Sequence, residues 1–242
     1  AISNKIGRRS MVASIFTSAP NEAGAAEQAA RRMDAMYRHQ RHIYDLTRKF
    51  YLFGRDQLLA SLSAPPGAAV LEMGCGTGRN LIKLAALAPE ARLYGVDVSG
   101  VMLATAARAL DRAGLSDRVK LAQAGGQGFD PMAAFNIAQF DTIYFSYVLS
   151  MIPGWQTVVE RALGQLAPGG TLAVVDFGDQ LKAPAWRRRL LLGWLRLFDV
   201  HPKAEIERGL RAIAAGMAGL WRDEDVFDGY AYILAMKTGR SA

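Results

Sequence analysis

Between residues 25 and 62 apolar side chains return every three or four positions, among them Met33, Met36, Tyr37, Ile43, Tyr44 and Leu46. That period predicts helix. Basic residues are interleaved through it (Arg31, Arg32, Arg38, Arg41, Arg48, Lys49, Arg55), and Gly54 divides it into two helices. Ala64-Pro65-Pro66-Gly67 ends the region, because proline cannot continue a helix and pushes the residue before it into extended geometry. Short apolar runs then alternate with amphipathic stretches. Strands are expected at 69–73, 92–98, 119–123, 140–145 and 170–177, and helices at 80–88, 100–113 and 155–166. Strand and helix in alternation predict a parallel sheet covered on both faces. Residues 179–217 read as helical again, and 228–237 alternates as a strand through Tyr230, Tyr232, Leu234 and Met236. The expected organisation is a poorly ordered tail at 1–30, a helical cap at 31–63, and an α/β core at 64–242 that carries a helical insertion at 179–217. The tail also has a transit-like reading, from Lys5, Arg8 and Arg9 among Ala and Ser.

Composition narrows the class. With 51% hydrophobic and 21% charged residues over 242 positions, the chain has ample material for a sizeable core, which excludes wholesale disorder. No run of about 18 apolar residues predicts a membrane-spanning helix. A net charge of +7 favours anionic partners without choosing among nucleic acid, anionic lipid and acidic small molecules. Cys75 is the single cysteine, which excludes an internal disulfide and points to a reducing compartment. Together with three scattered histidines it does not make a zinc ligand set, and no metal is expected.

The strongest chemical signal is Val70-Leu71-Glu72-Met73-Gly74-Cys75-Gly76-Thr77-Gly78-Arg79-Asn80. A short apolar strand runs into three alternate glycines, and a helix starts at once. Glycines let the chain turn sharply and let a ligand meet backbone N–H groups without a Cβ in the way. The helix N-terminus adds partial positive charge suited to a carboxylate or phosphate. The dinucleotide fingerprint would want its third glycine at position 79, which is Arg79, and the Gly-Lys-Ser/Thr of a P-loop is absent. About 20 residues further on, the second strand ends in Asp97, where a carboxylate can accept both hydroxyls of a ribose. Asp97 could instead cap the next helix, but Ser99 is better placed for that.

Glu72, Gly74, Gly76 and Gly78 match the E/D-x-G-x-G-x-G motif of class I S-adenosylmethionine-dependent methyltransferases, and the chain resembles that family. The resemblance implies a doubly wound, mostly parallel seven-stranded sheet of Rossmann-like architecture, with S-adenosyl-L-methionine as donor and S-adenosyl-L-homocysteine as product. It implies that the Gly74–Gly78 loop, with Cys75 and Asn80, faces the amino-acid end of the donor and that Glu72 supports both. Asp97 would hold the ribose, and Val98 and Met102 would flank the adenine. The fourth-strand tip at Phe145 and Ser146 would border the transferring methyl group. One position departs from the pattern: Gly125 stands where the family carries an acid for the adenine amino group, which leaves backbone groups or Gln127 to replace it.

The segment 37–56, together with 145–155 and Gly229-Tyr230-Ala231-Tyr232, resembles the bacterial enzymes that N-methylate diacylglycerylhomoserine to a trimethylated betaine lipid. That resemblance spans roughly 31–237. It implies three successive methyl transfers to one amine, a lipid substrate with an amino head-group, and a cytoplasmic protein held peripherally at the inner face of the membrane. Tyr37, Tyr44 and Tyr51, seven residues apart, either line the pocket mouth or pack the cap on the sheet. His39, His42 and His201 are candidates to take the amine proton, and surface histidines would look the same. Arg38, Arg41, Arg48 and Arg55 either pair with the head-group carboxylate or form a solvated face. The segment 186–198, with its tryptophans, leucines and arginines, suits an interfacial helix or a buried lid. Phosphatidylethanolamine and small amines are alternative acceptors. A base-amine enzyme is disfavoured, because Ser146-Tyr147-Val148-Leu149 replaces the Asn/Asp-Pro-Pro-aromatic motif, so no nucleic-acid partner is expected. A non-catalytic cofactor-binding or scaffold protein would keep the glycine loop alone. The sequence leaves the oligomeric state open.

Overall fold

The computed structural model describes residues 52–62, 64–178, 204–217 and 220–239, and singly Arg189 and Gly193. Along the chain these form α1 (Arg55–Ser61), β1 (Ala69–Met73), α2 (Arg79–Leu87), β2 (Arg92–Asp97), α3 (Gly100–Arg112), β3 (Val119–Gln123) and α4 (Pro131–Phe135). They continue with β4 (Phe140–Ser146), α5 (Trp155–Gly164), β5 (Leu166–Phe177), α6 (Ala204–Ala215), β6 (Leu220–Val226) and β7 (Ala231–Lys237). The seven strands form one sheet in the order β3-β2-β1-β4-β5-β7-β6. Neighbours from β3 to β5 are parallel, and β7 runs antiparallel to both β5 and β6. This is the doubly wound sheet expected from the alternation of elements.

Strand periodicity divides the core into two layers, because successive side chains point to opposite faces. Val70, Leu93, Tyr144, Val175 and Ile233 meet Leu58 and Leu59 of α1, Leu81 and Leu84 of α2, and Leu110 of α3. On the other face Leu71, Val96, Phe145, Val174 and Leu234 meet Phe135 of α4, Val158 and Val159 of α5, and Ile206, Leu210 and Ile213 of α6. Burying a large aliphatic side chain contributes about 1.5–3 kcal/mol, so these layers are what hold the strand ends in register at the site.

Two expectations change at the carboxyl-terminal end. The stretch 231–237 does not alternate in burial, since every residue but Lys237 is buried. The strand sits between β5 and β6 and is covered on both faces. Strand β6 was not legible in the sequence, because four consecutive charged residues, Arg222 to Asp225, occupy its middle. An edge strand tolerates them: Asp223 pairs with Arg211 of α6, and Arg222 pairs with Glu224 and donates to the Gln57 carbonyl. The short helix α4 was also unread; its start is capped by Asp130, whose Oδ1 accepts from the Met132 N–H at 2.9 Å. The tail 1–30, the cap up to residue 51, and the insertion before residue 204 (Arg189 and Gly193 apart) lie outside the described residues.

Candidate functional site

Strand order reverses between β1 and β4, and at such a switch point the loops after neighbouring strands part to leave a crevice at the strand carboxyl ends. The crevice here has a volume of about 440 Å³ and is lined by Glu72, Gly74, Cys75, Gly76 and Asn80 from the β1–α2 turn. Ser146 enters from β4, and Leu52 and Arg55 from the start of α1. Thr105 and Arg112 of α3 continue it along the α2–α3 side.

The turn works only with glycine. Gly74, Gly76 and Gly78 have φ of 76°, 53° and 77°, the left-handed region that costs other residues about 1–2 kcal/mol. A Cβ on Gly74 would lie 2.4 Å from Val148 Cγ2, so the β1 turn and the β4 loop touch with no room for a side chain. The N–H groups of Gly74 and Cys75 both donate to the Val96 carbonyl, at 2.7 and 2.9 Å, which ties the loop to β2.

Asp97, buried at the tip of β2, supports the same loop from its side chain. Its Oδ2 accepts from the Gly76 N–H at 2.8 Å and its Oδ1 from the Ser99 N–H at 2.9 Å. These bonds fix the Asp97 carboxylate at the carboxyl end of β2, beside the glycine loop. Ser99 caps α3 as expected, accepting from the Met102 N–H at 3.2 Å.

Glu72 lies under the loop. Its Oε1 accepts from Asn80 Nδ2 at 2.7 Å, while Oε2 is buried without a hydrogen-bond partner, as is the Tyr144 hydroxyl. Loss of hydration on burial is the main cause that raises the carboxyl pKa to about 8; the Asp97 charge adds to it, while Asn80, the neighbouring Tyr144 phenol and the Arg55 charge oppose it. An acid so placed favours its protonated form at neutral pH, and a further cation bound beside it would shift it toward the anion. Burial likewise raises the Cys75 thiol, with the Asp97 and Glu72 charges contributing, and its sulfur packs against Gly95 of β2.

The structure thus brings Glu72, Gly74, Cys75, Gly76, Asn80 and Ser146 around one crevice, with Gly78 capping α2 behind it and Asp97 holding its loop. Four other expected cofactor contacts are not among the residues lining this crevice. Phe145 points to the opposite face and packs in the α5–α6 layer. Gln127 Nε2 donates to the Pro153 carbonyl at 2.9 Å. Val98 and the buried Met102 do not line this crevice. Tyr37, Tyr44, Tyr51, His39, His42 and His201 lie outside the described residues, as do Arg38, Arg41, Arg48 and all but two residues of 186–198.

Tyr147 carries no signal in the sequence beyond its place in a motif. It has φ 56°, and its hydroxyl donates to the Phe53 carbonyl at 2.5 Å, which clamps the β4 tip to the segment entering α1. Arg55 stood out in the sequence only as one arginine of several, yet it is the one buried cation among the described residues. Asp56, next in the chain, pairs with Arg79 at 3.3 Å and Lys83 at 2.5 Å, which fastens α1 to α2.

Residues 71–172 match the model of a family described as a methyltransferase domain. A trans-aconitate 2-methyltransferase of Methylobacterium radiotolerans is 34% identical over 131 residues, which are 54% of this chain and 46% of that protein. The chain spans about half the length of the relatives of this kind that it matches. Among solved structures, the S-adenosylmethionine-dependent methyltransferase SibL superposes with a TM-score of 0.62 at 21% identity, over 82% of this chain and 58% of that one. An O-methyltransferase family protein from Burkholderia thailandensis gives 0.63 at 17% identity, over 86% and 63%. These likenesses establish the fold.

Proposed function

We propose, from the premise that this chain carries a class I S-adenosylmethionine-dependent methyltransferase domain, that it transfers the methyl group of S-adenosylmethionine to an amine on a lipid head-group. The observation that carries the donor half is the glycine turn at the sheet's switch point, opened by three left-handed glycines and held by the Asp97 carboxylate. The residues present fit the donor. The Gly74–Gly78 loop offers a side-chain-free face for its amino-acid end. Glu72, buried with an unpartnered oxygen, supplies an anion for its cationic end. Asp97 holds a carboxylate at the tip of β2, where the hydroxyls of a ribose would be met. When bound, S-adenosylmethionine supplies a sulfonium methyl group already activated toward displacement and leaves as S-adenosylhomocysteine.

The protein's task is alignment and exclusion of water. Glu72 and Asn80 fix the loop against the start of α2, and Tyr147 fixes the segment entering α1 over the β4 tip. No covalent intermediate is required. The acceptor amine must lose a proton before attack, and His39, His42, His201 or the tyrosines at 37, 44 and 51 are the candidates to receive it or to hold the amine.

The acceptor reading rests on the resemblance of residues 37–56 and 145–155 to the diacylglycerylhomoserine enzymes, with three successive transfers and peripheral contact with the inner membrane face. Among the described residues no helix is long and apolar enough to cross a membrane. A second reading, methylation of a small carboxylic acid, is favoured by the names of the relatives matched over the core. Incubating the protein with methyl-labelled donor and, separately, diacylglycerylhomoserine, phosphatidylethanolamine and trans-aconitate separates them. Label in a mono-, di- and trimethylated lipid series supports the first reading; label only in a methyl ester replaces it with the second.

A further inference from the structure

Five aromatic rings form a continuous ladder from the β4 tip to the surface. Tyr147 meets Phe177 edge-on at 4.6 Å, Phe177 meets Tyr230 at 5.9 Å, Tyr230 meets Phe53 at 5.3 Å, and Phe53 meets Phe227 at 4.7 Å. The ladder begins beside Ser146 and flanks Leu52 and Arg55, all three of which line the crevice. It ends in the open: Phe53 is 40% and Phe227 60% exposed. Only four large hydrophobic side chains are exposed among the described residues, and these two touch each other at the same end of the sheet as the glycine turn.

Their backbone makes the exposure harder to explain as packing alone. Of four non-glycine residues with positive φ among the described residues, three belong to this wall or its turn: Tyr147 at 56°, Phe227 at 51° and Asp228 at 57°. A phenylalanine gains nothing from left-handed geometry in a hairpin turn, where asparagine or glycine would sit without strain. Its ring is held outward there at a conformational cost, and strain kept at a site's edge is a mark of use. The wall is also uncharged. Burial keeps the Tyr147 phenol protonated, reinforced by Tyr230 and Asp176 and opposed by the Arg55 charge, so the five rings themselves carry no charge. Such a surface accepts hydrocarbon.

We propose that this ladder receives a hydrocarbon chain of the methyl acceptor, guiding its reactive end toward the crevice at Ser146. The inference rests on the methyltransferase reading and narrows its acceptor to molecules with an apolar tail. A neutral apolar fluorophore, 1-N-phenylnaphthylamine, tests it on the full chain in three forms: wild type, Phe53→Ser/Phe227→Ser, and Leu87→Ser, which removes a different exposed hydrophobe. Saturable binding at micromolar concentration is expected for wild type and Leu87→Ser, weakened at least tenfold in the double variant. A twelve-carbon monoacylglycerol should displace the probe and trans-aconitate should not. Calorimetric titration with S-adenosylmethionine should agree within twofold among the three, which also shows that the double variant is folded. Equal probe binding in all three proteins overturns the proposal, as does displacement by trans-aconitate. So does a double variant whose only change is loss of self-association in sedimentation, which would assign the ladder to a second copy. Failure of the wild type to bind the donor would instead sink the methyltransferase reading, leaving the ladder to be judged by the probe alone.

Discussion

Replacing Glu72 by Gln should turn a pH-dependent protein into one much less dependent on pH. Burial raises the Glu72 carboxyl from an ordinary 4.5 to about 8 in the folded state. Below pH 4.5 the group is protonated whether folded or not, and its contribution to stability is fully present. Between 4.5 and 8 the unfolded chain has lost the proton and the folded one keeps it, so stability falls by about 1.4 kcal/mol per pH unit. Over that window the loss is on the order of 4 kcal/mol, a large part of a typical domain's stability. Gln has the same shape, cannot ionise, can still accept from Asn80, and can donate its amide toward the otherwise unpartnered Tyr144 hydroxyl. Urea unfolding of both proteins at pH 5, 6.5 and 8 reads the difference. The variant should match or slightly trail the wild type at pH 5 and exceed it by at least ~2 kcal/mol at pH 8. Asp176, raised to about 6 by burial, contributes the same slope to both proteins and cancels in the comparison. Parallel pH profiles would refute the buried-acid account of this loop.

Three further outcomes follow from the same geometry. Asp97→Asn leaves one of two backbone donors, Gly76 N–H or Ser99 N–H, facing an amide nitrogen; donor affinity by calorimetry should fall tenfold or more and stability by about 1–3 kcal/mol. Gly74→Ala combines left-handed strain with a 2.4 Å contact to Val148, so about 2–5 kcal/mol should be lost; adding Val148→Ala should recover the steric part alone, and losses that simply add would contradict the contact. Tyr147→Phe removes the hydroxyl that holds the Phe53 carbonyl and should cost about 1 kcal/mol, while hydrogen exchange at the amides of α1 quickens; unchanged exchange would show that the clamp is idle.

Some of this molecule was readable from one dimension. Local sequence decides where strands and helices lie when periodicity is strong, and β1 to β5 with α2, α3 and α5 fell within a few residues of expectation. The glycine turn was readable for the same reason: three alternate glycines after an apolar strand have few other uses, and the left-handed angles follow from the missing Cβ. Asp97 and Ser99 were separable because a helix cap sits at a fixed offset from its helix.

Tertiary structure decided what depends on neighbours distant in sequence. Nothing along the chain shows that Glu72 is buried beside Asn80 of α2, since desolvation is a property of what surrounds a group. A charged run such as Arg222 to Asp225 becomes a strand only because a buried partner, β7, offers it an unpaired edge. Phe145 and Ser146 are adjacent, yet strand alternation sends one into the core and the other to the crevice. The aromatic ladder draws on residues 53, 147, 177, 227 and 230, and no spacing rule links them. They meet because a hairpin folds back beside the parallel strands, placing its turn at the end of the sheet where those strands open.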